Sequence, residues 1–154
     1  MKGYHIYIPN YSVGADCYKE IPWVTRKYGK KAVVIGGKTA MDKVKNELLD
    51  GIDASYENVE MLMETEAVKN ADMIFAVGGG RVMDTCKVVR ERLDKPMFTF
   101  PTLGSNCAAT TSIAVIYHPD GSVNNYFYGK IPAEHIFINT KIIAESPEHM
   151  FWAG

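Results

Sequence analysis

Phe75-Ala76-Val77-Gly78-Gly79-Gly80-Arg81-Val82-Met83-Asp84 is the stretch that decides the fold. The apolar run Met73 to Val77 enters three glycines, and apolar residues then recur at helical spacing through Val82, Cys86, Val89 and Leu93. A short uninterrupted apolar run bounded by glycine has the pattern of a strand buried on both faces. A helix starting directly after it makes the βα unit of a parallel sheet. The glycines carry a second meaning. Lacking Cβ atoms, they let a ligand approach the backbone, and the first amides of the following helix are suited to a phosphate group. The spacing matches neither G-x-G-x-x-G nor the P-loop. A plain glycine-rich turn, with Asp84 favoured near the helix start by the macrodipole, accounts for the same residues without a ligand.

The same unit recurs upstream. Ala32 to Ile35 is a short apolar run ending in Gly36-Gly37, with Thr39 as N-cap, Met41, Val44, Leu48 and Leu49 on one helical face, and Gly51 as the stop. Before it, Tyr4 to Ile8 reads as an opening strand, followed by a helix carrying Cys17, Ile21, Val24 and Tyr28. Asn58 is placed to cap a further helix running through Asn70. After the central unit, Pro96 precedes a strand from Met97 to Phe100. From Ile113 the pattern changes: Ile113 to Tyr117, the turn Pro119-Asp120-Gly121, and Val123 to Tyr128 predict a β-hairpin laid against the main sheet. Ile136 to Ile138 reads as one more core strand, and Ser146-Pro147 has the chemistry of a new helix start. The class is α/β: a doubly wound, mostly parallel, Rossmann-like sheet with an added hairpin.

Bulk properties narrow the partners. With 154 residues the chain fits one core, and 17 basic against 18 acidic side chains leave a net charge of −1. That balance offers no strong field for nucleic acid or an anionic membrane. No stretch approaches bilayer length and the first ten residues lack a signal-peptide core, so a cytoplasmic location is the expectation. Cys17, Cys86 and Cys107 lack the paired spacing of zinc sites and read as reduced thiols. His5, His118, His135 and His149 form no H-x-x-x-H pair, so no metal site is expected within these residues.

A second candidate stretch for ligand binding follows the Met97 strand: Pro101-Thr102-Leu103-Gly104-Ser105-Asn106-Cys107-Ala108-Ala109-Thr110-Thr111. Its small and hydroxyl side chains leave room for a ligand at the edge where parallel sheets bind theirs. Taken alone, the same residues read as a turn capping a helix through Ser105 or Asn106.

Together the two stretches resemble the glycerol dehydrogenase branch of the iron-containing alcohol dehydrogenase superfamily, with its G-G-G-x-x-x-D loop, P-T-x-x-S-x-D-type segment and S-V-I-Y-like strand. Ile113-Ala114-Val115-Ile116-Tyr117 and His135-Ile136-Phe137-Ile138-Asn139-Thr140-Lys141-Ile142-Ile143 also look like family stretches. The fold this implies is the N-terminal domain shared with dehydroquinate synthase. The implied activity is an NAD- or NADP-dependent oxidation of an alcohol or polyol. By the resemblance, Gly78, Gly79 and Gly80 would cradle the pyrophosphate, and Asp84 and Thr102 would lie toward the nicotinamide and ribose. Thr111, Ile113 and Tyr117 would line the nicotinamide pocket. Gly36, Gly37 and Lys38 stand where many NAD-using relatives place an acid against the adenosine ribose. NADP therefore stays open beside NAD, with Lys38 either meeting the 2′-phosphate or lying in solvent. Cys107 aligns with the aspartate that glycerol dehydrogenases hold near the polyol. A neutral thiol does not replace a carboxylate as an acceptor, which points away from glycerol itself.

The resemblance also implies a divalent zinc or iron whose ligands lie beyond Gly154. Residues 1–145 would then be the dinucleotide-binding domain and 146–154 the start of a helical metal-binding domain. No catalytic or metal-ligating residue is expected within the chain, which by itself is expected to be inactive. Three alternatives stay open: a glycerol-1-phosphate dehydrogenase, a dehydroquinate-synthase-like enzyme, and a non-catalytic nucleotide-binding or interaction module. Association into a homo-oligomer is open as well.

Overall fold

The computed structural model describes residues 9–37, 40 and 55–153. Among the described residues, five parallel strands form the main sheet: β1 (Asn10–Val13), β2 (Ala32–Gly36), β3 (Met73–Gly78), β4 (Met97–Pro101) and β7 (His135–Ile138), in the order β1-β7-β4-β3-β2. Strands β5 (Ile113–Tyr117) and β6 (Val123–Tyr128) form a separate antiparallel pair. A 3-10 turn at Cys17–Glu20 leads into α1 (Ile21–Thr25), and α2 (Tyr56–Glu64) and α3 (Glu66–Lys69) precede β3. The long helix α4 (Gly80–Leu93) follows β3, while α5 (Thr140–Ala144) and α6 (Glu148–Phe151) follow β7.

The sheet is doubly wound because its central strands are apolar on both faces. Ile74, Ala76 and Met97 join Val59, Leu62, Met83, Cys86 and Val89 in a core under α2 and α4. Met73, Val77, Phe98, Phe100 and Phe137 face the other way, against Cys17, Ile21 and Val24. Phe100 and Phe137 stack there with ring centroids 5.0 Å apart. Alternate residues of one strand therefore feed two cores, which is why periodicity shows an unbroken apolar run.

Several local expectations need correction. Strand β1 was not expected from the sequence, since Asn10-Tyr11-Ser12-Val13 is largely exposed and, among the described residues, pairs only with β7, so it has little burial to announce it. The cap of α2 is Ser55, whose Oγ accepts from the Asn58 amide at 3.2 Å, and Asn58 lies inside the helix. Thr65, extended at ψ 127°, then splits the expected single helix into α2 and α3. The hairpin lies on α4 rather than on the sheet: Ala114 and Ile116 are fully buried in the α4-side core, and the Val115 amide donates to the Asp84 Oδ2 at 3.0 Å. Residues 102–111 form turns, not a helix. The N-cap of α6 is Pro147, without a side-chain cap, and the Ser146 hydroxyl is buried with no hydrogen-bond partner among the described residues. The expected Tyr4–Ile8 strand and Met41–Leu49 helix lie outside the described residues.

Entry into β2 depends on Gly29. It sits at φ +142°, and a Cβ there would stand 2.3 Å from the Asp72 Cβ. The Asp72 carboxylate accepts the Lys30 and Lys31 amides at 2.7 and 2.9 Å, which holds its pKa below the ordinary value. Gly29→Ala is expected to cost about 2 kcal/mol or more, from positive φ plus overlap with an atom next to the backbone. A urea midpoint equal to wild type would refute this account.

His135 supplies a pH handle at the β1 edge. Its Nε2 lies 2.8 Å from the Ser12 Oγ, and burial holds its pKa below the ordinary value. The unfolded chain therefore takes up a proton where the folded chain stays neutral. This contribution to stability is fully present above about pH 6.5, and is lost as the pH falls from there through the folded value. His135→Gln is expected to flatten the stability profile just below pH 6.5, read as urea midpoint against pH.

Candidate functional site

Because the strands run parallel in register, their carboxyl ends share one edge. Gly36 pairs with Val77, and Gly78 pairs with Pro101. The three glycines turn the chain from β3 into α4 at this edge. Gly78 takes φ +143°, a region that L side chains rarely adopt, and its carbonyl accepts the Thr102 amide at 3.2 Å. Gly79 is the N-cap of α4, and Gly80 is its first residue. Helix geometry gives the amides of a first turn no intrahelical acceptor, and the N-cap glycine has no side chain to offer them.

Two cavities flank this corner. One of about 450 Å³ is lined by Gly37, Gly78, Gly79, Thr102, Leu103 and Met150, among others. The other, about 520 Å³, lies on the hairpin side and includes Gly80, Asp84, Cys107, Thr111, Ile113 and Tyr117. The glycine corner thus stands between two open spaces. A third hollow of about 420 Å³ lies beside the hairpin turn, with Arg81 and Tyr117 in its wall.

A scan of family models matches residues 9–138 to iron-containing alcohol dehydrogenase. The chain belongs to that family. Among curated relatives, it is 25% identical over 158 aligned positions to the glycolaldehyde reductase of Halobacterium salinarum, covering 94% of this chain and 43% of that protein. Identity to glycerol dehydrogenase 1 of Schizosaccharomyces pombe is 28%, covering 86% of this chain and 31% of the relative. The solved structure of a probable glycerol dehydrogenase from Sinorhizobium meliloti 1021 superposes with a TM-score of 0.86 at 20% identity, over 97% of this chain and 44% of that one. The chain therefore spans less than half the length of these proteins, and the Rossmann-like parallel sheet with its hairpin is shared with the last.

Within this family fold, most of the predicted site residues gather at one edge. Gly36 ends β2, and Gly37 reaches the first cavity. Lys38 lies outside the described residues. Thr102 is buried at the glycine corner. Thr111, Ile113 and Tyr117 lie along the second cavity, where Tyr117 carries the Arg81 guanidinium 5.5 Å from its ring centroid. Cys107 is exposed in the same wall.

Asp84 lies beyond the first turn of α4, which holds no acidic residue, so hydrogen bonds and not the expected helix dipole fix it. Its Oδ1 accepts the Lys87 ammonium at 2.8 Å, and its Oδ2 accepts the Val115 amide at 3.0 Å. Lys87 also donates to the Thr111 Oγ1 at 3.2 Å and to the Ile113 carbonyl at 2.6 Å. The two side chains are only 4% and 10% exposed for Lys87 and Asp84, respectively. Sequence reasoning missed Lys87, although a signal existed: from Met83, residues Cys86, Lys87 and Arg90 fall at i+3, i+4 and i+7. These positions place two cations on the buried stripe of α4. Met150 was also missed as a cavity residue, while Leu103 and Asn106, quoted only as part of the Pro101–Thr111 stretch, line the first and second cavities.

The residues present suit a dinucleotide better than a metal. At Gly79 and Gly80, backbone stands at the cavity wall where other residues would place a Cβ, and the helix start offers amide donors. Among the described residues, no three His, Cys, Asp or Glu side chains converge as metal ligands. No helix among them is long and apolar enough to cross a membrane.

Proposed function

We propose that this chain is the dinucleotide-binding part of an NAD- or NADP-dependent dehydrogenase acting on an alcohol or polyol. The observation that carries the reading is the Gly78-Gly79-Gly80 corner at the carboxyl edge of the sheet, between two cavities and at the start of a 14-residue helix. The corner amides and helix dipole would bind the diphosphate. Thr111, Ile113 and Tyr117 would hold the nicotinamide end on the hairpin side, with Asp84 and Thr102 nearby. Bound there, the nicotinamide supplies a hydride acceptor. The residues of this chain bind and orient it, and the apolar strand wall excludes water from one face. Similarity to a glycolaldehyde reductase and a glycerol dehydrogenase supports a small hydroxylated substrate. The exposed Cys107 thiol would meet it, and lacks the charge a carboxylate would bring.

We further propose that the chain by itself binds the cofactor without turnover. Calorimetry of the chain with NADH and NADPH tests the reading. Saturable binding that ADP competes away is expected; failure of both nucleotides to bind at millimolar concentration would overturn it. Turnover of an alcohol by the chain with added zinc or iron would overturn the claim of inactivity. If Lys38 meets a 2′-phosphate, Lys38→Ala should weaken NADPH binding about tenfold more than NADH binding. An equal effect on both would assign this lysine to solvent.

A further inference from the structure

We propose that Lys87 is a positioning residue, whose buried ammonium sets the glycine corner in register with the strand facing the second cavity. The inference rests on the dinucleotide reading above. Lys87 lies seven residues after Gly80 on one rigid helix, about 10 Å along its axis. Its ammonium spans from that helix to the Thr111 hydroxyl and the Ile113 carbonyl, while its partner Asp84 holds the Val115 amide.

The direction of these bonds separates positioning from simple adhesion. Strand β5 alternates: Ala114 and Ile116 are buried in the α4-side core, and Ile113, Val115 and Tyr117 line the cavity. Apolar packing alone could hold the strand to the helix, and a buried ion pair is a weak source of net stability compared with a well-packed apolar pair. Apolar contacts do not recognise particular backbone groups. The Lys87–Asp84 pair does, through the Ile113 carbonyl and the Val115 amide, and a one-residue slip would exchange the core and cavity sets. The desolvation cost of the pair is thus spent on register along the cavity wall.

The test compares NADH with ADP, which carries the diphosphate but no nicotinamide, on the 154-residue chain. Lys87→Met leaves the Asp84 carboxylate without its cation and is a poor variant alone, so the informative comparison is Asp84→Asn against Asp84→Asn/Lys87→Met. The second step removes Lys87 without stranding a charge. The double variant, which also removes the buried ammonium that Asp84→Asn leaves without its anion, is expected to melt at or above Asp84→Asn and to keep its ADP affinity. Its NADH affinity should fall about tenfold further, with loss of the NADH fluorescence enhancement. Equal NADH-to-ADP affinity ratios and equal fluorescence in the two variants would overturn the positioning role, as would parallel loss of both ligands. A wild-type chain that binds neither ligand would instead bring down the dinucleotide reading, and this inference with it.

Discussion

Gly80→Ala is expected to leave the fold intact while weakening NADH binding by about tenfold or more. A Cβ at Gly80 would meet nothing closer than the Asn106 Nδ2 at 3.5 Å, which is ordinary contact, and Gly80 has no positive φ to strain. Exchanging glycine for alanine in a helix favours the folded state by up to about 1 kcal/mol. The added methyl group would, however, stand at the cavity wall where the diphosphate is proposed to reach the backbone. Stability and binding should therefore move in opposite directions, which a merely structural glycine would not produce. Gly80→Asp sharpens the test by placing a carboxylate against the phosphates, where like-charge contact costs several kcal/mol and affinity should fall about a hundredfold or more. Gly78→Ala is the contrast: at φ +143° it should lower the melting temperature before any ligand is added. Wild-type NADH affinity in Gly80→Ala would remove the backbone-approach argument. Calorimetry and thermal melts on the three variants decide it.

The glycine corner was legible because two physical requirements coincide there. A buried parallel strand needs an uninterrupted apolar run, and a close backbone approach needs glycine, so Met73 to Gly80 shows both. The two-sided core likewise follows from strands such as Met97–Pro101, in which every second residue serves a different face. What could not be read is of a different kind. Strand β1 has a single partner among the described residues and little burial, so it is set by pairing with β7 rather than by its own pattern. The hairpin was visible as two strands and a turn, but its seat on α4 depends on Ala114, Ile116 and the Val115 amide meeting residues some thirty positions earlier. Asn58 and Ser55 were both chemically suitable caps, and the choice fell to the one preceding the turn that actually packs. The role of Lys87 was hidden for a related reason: a cation on an apolar helical stripe signals a buried partner without identifying it.

Arg90→Ala is expected to destabilise the chain by about 3–5 kcal/mol, the cost of leaving a buried carboxylate without its cation. Arg90 closes the far half of α4 onto the segment that feeds β7. One guanidinium nitrogen donates to the Ile131 and Pro132 carbonyls, both at 3.1 Å, while another donates to Glu134 at 2.9 Å. Glu134 uses its other oxygen to accept the Met97 amide at 2.6 Å, at the start of β4. Side-chain exposures of 11% and 14% leave little water to replace these bonds. The planar fork matters, because a lysine cannot present several donors in these directions, so Arg90→Lys should recover less than half of the loss. The carboxylate can be probed separately. Glu134→Gln keeps an acceptor for Met97 and should cost less than Glu134→Ala, which strands both the amide and the guanidinium. Urea denaturation of the four variants should therefore rank Glu134→Gln as the mildest and Arg90→Ala with Glu134→Ala as the most severe. If Arg90→Ala and Arg90→Lys unfold at the same midpoint, the guanidinium geometry is not what holds the segment before β7 against α4, and apolar packing such as that of Ala133 in the α4-side core must supply that attachment by itself.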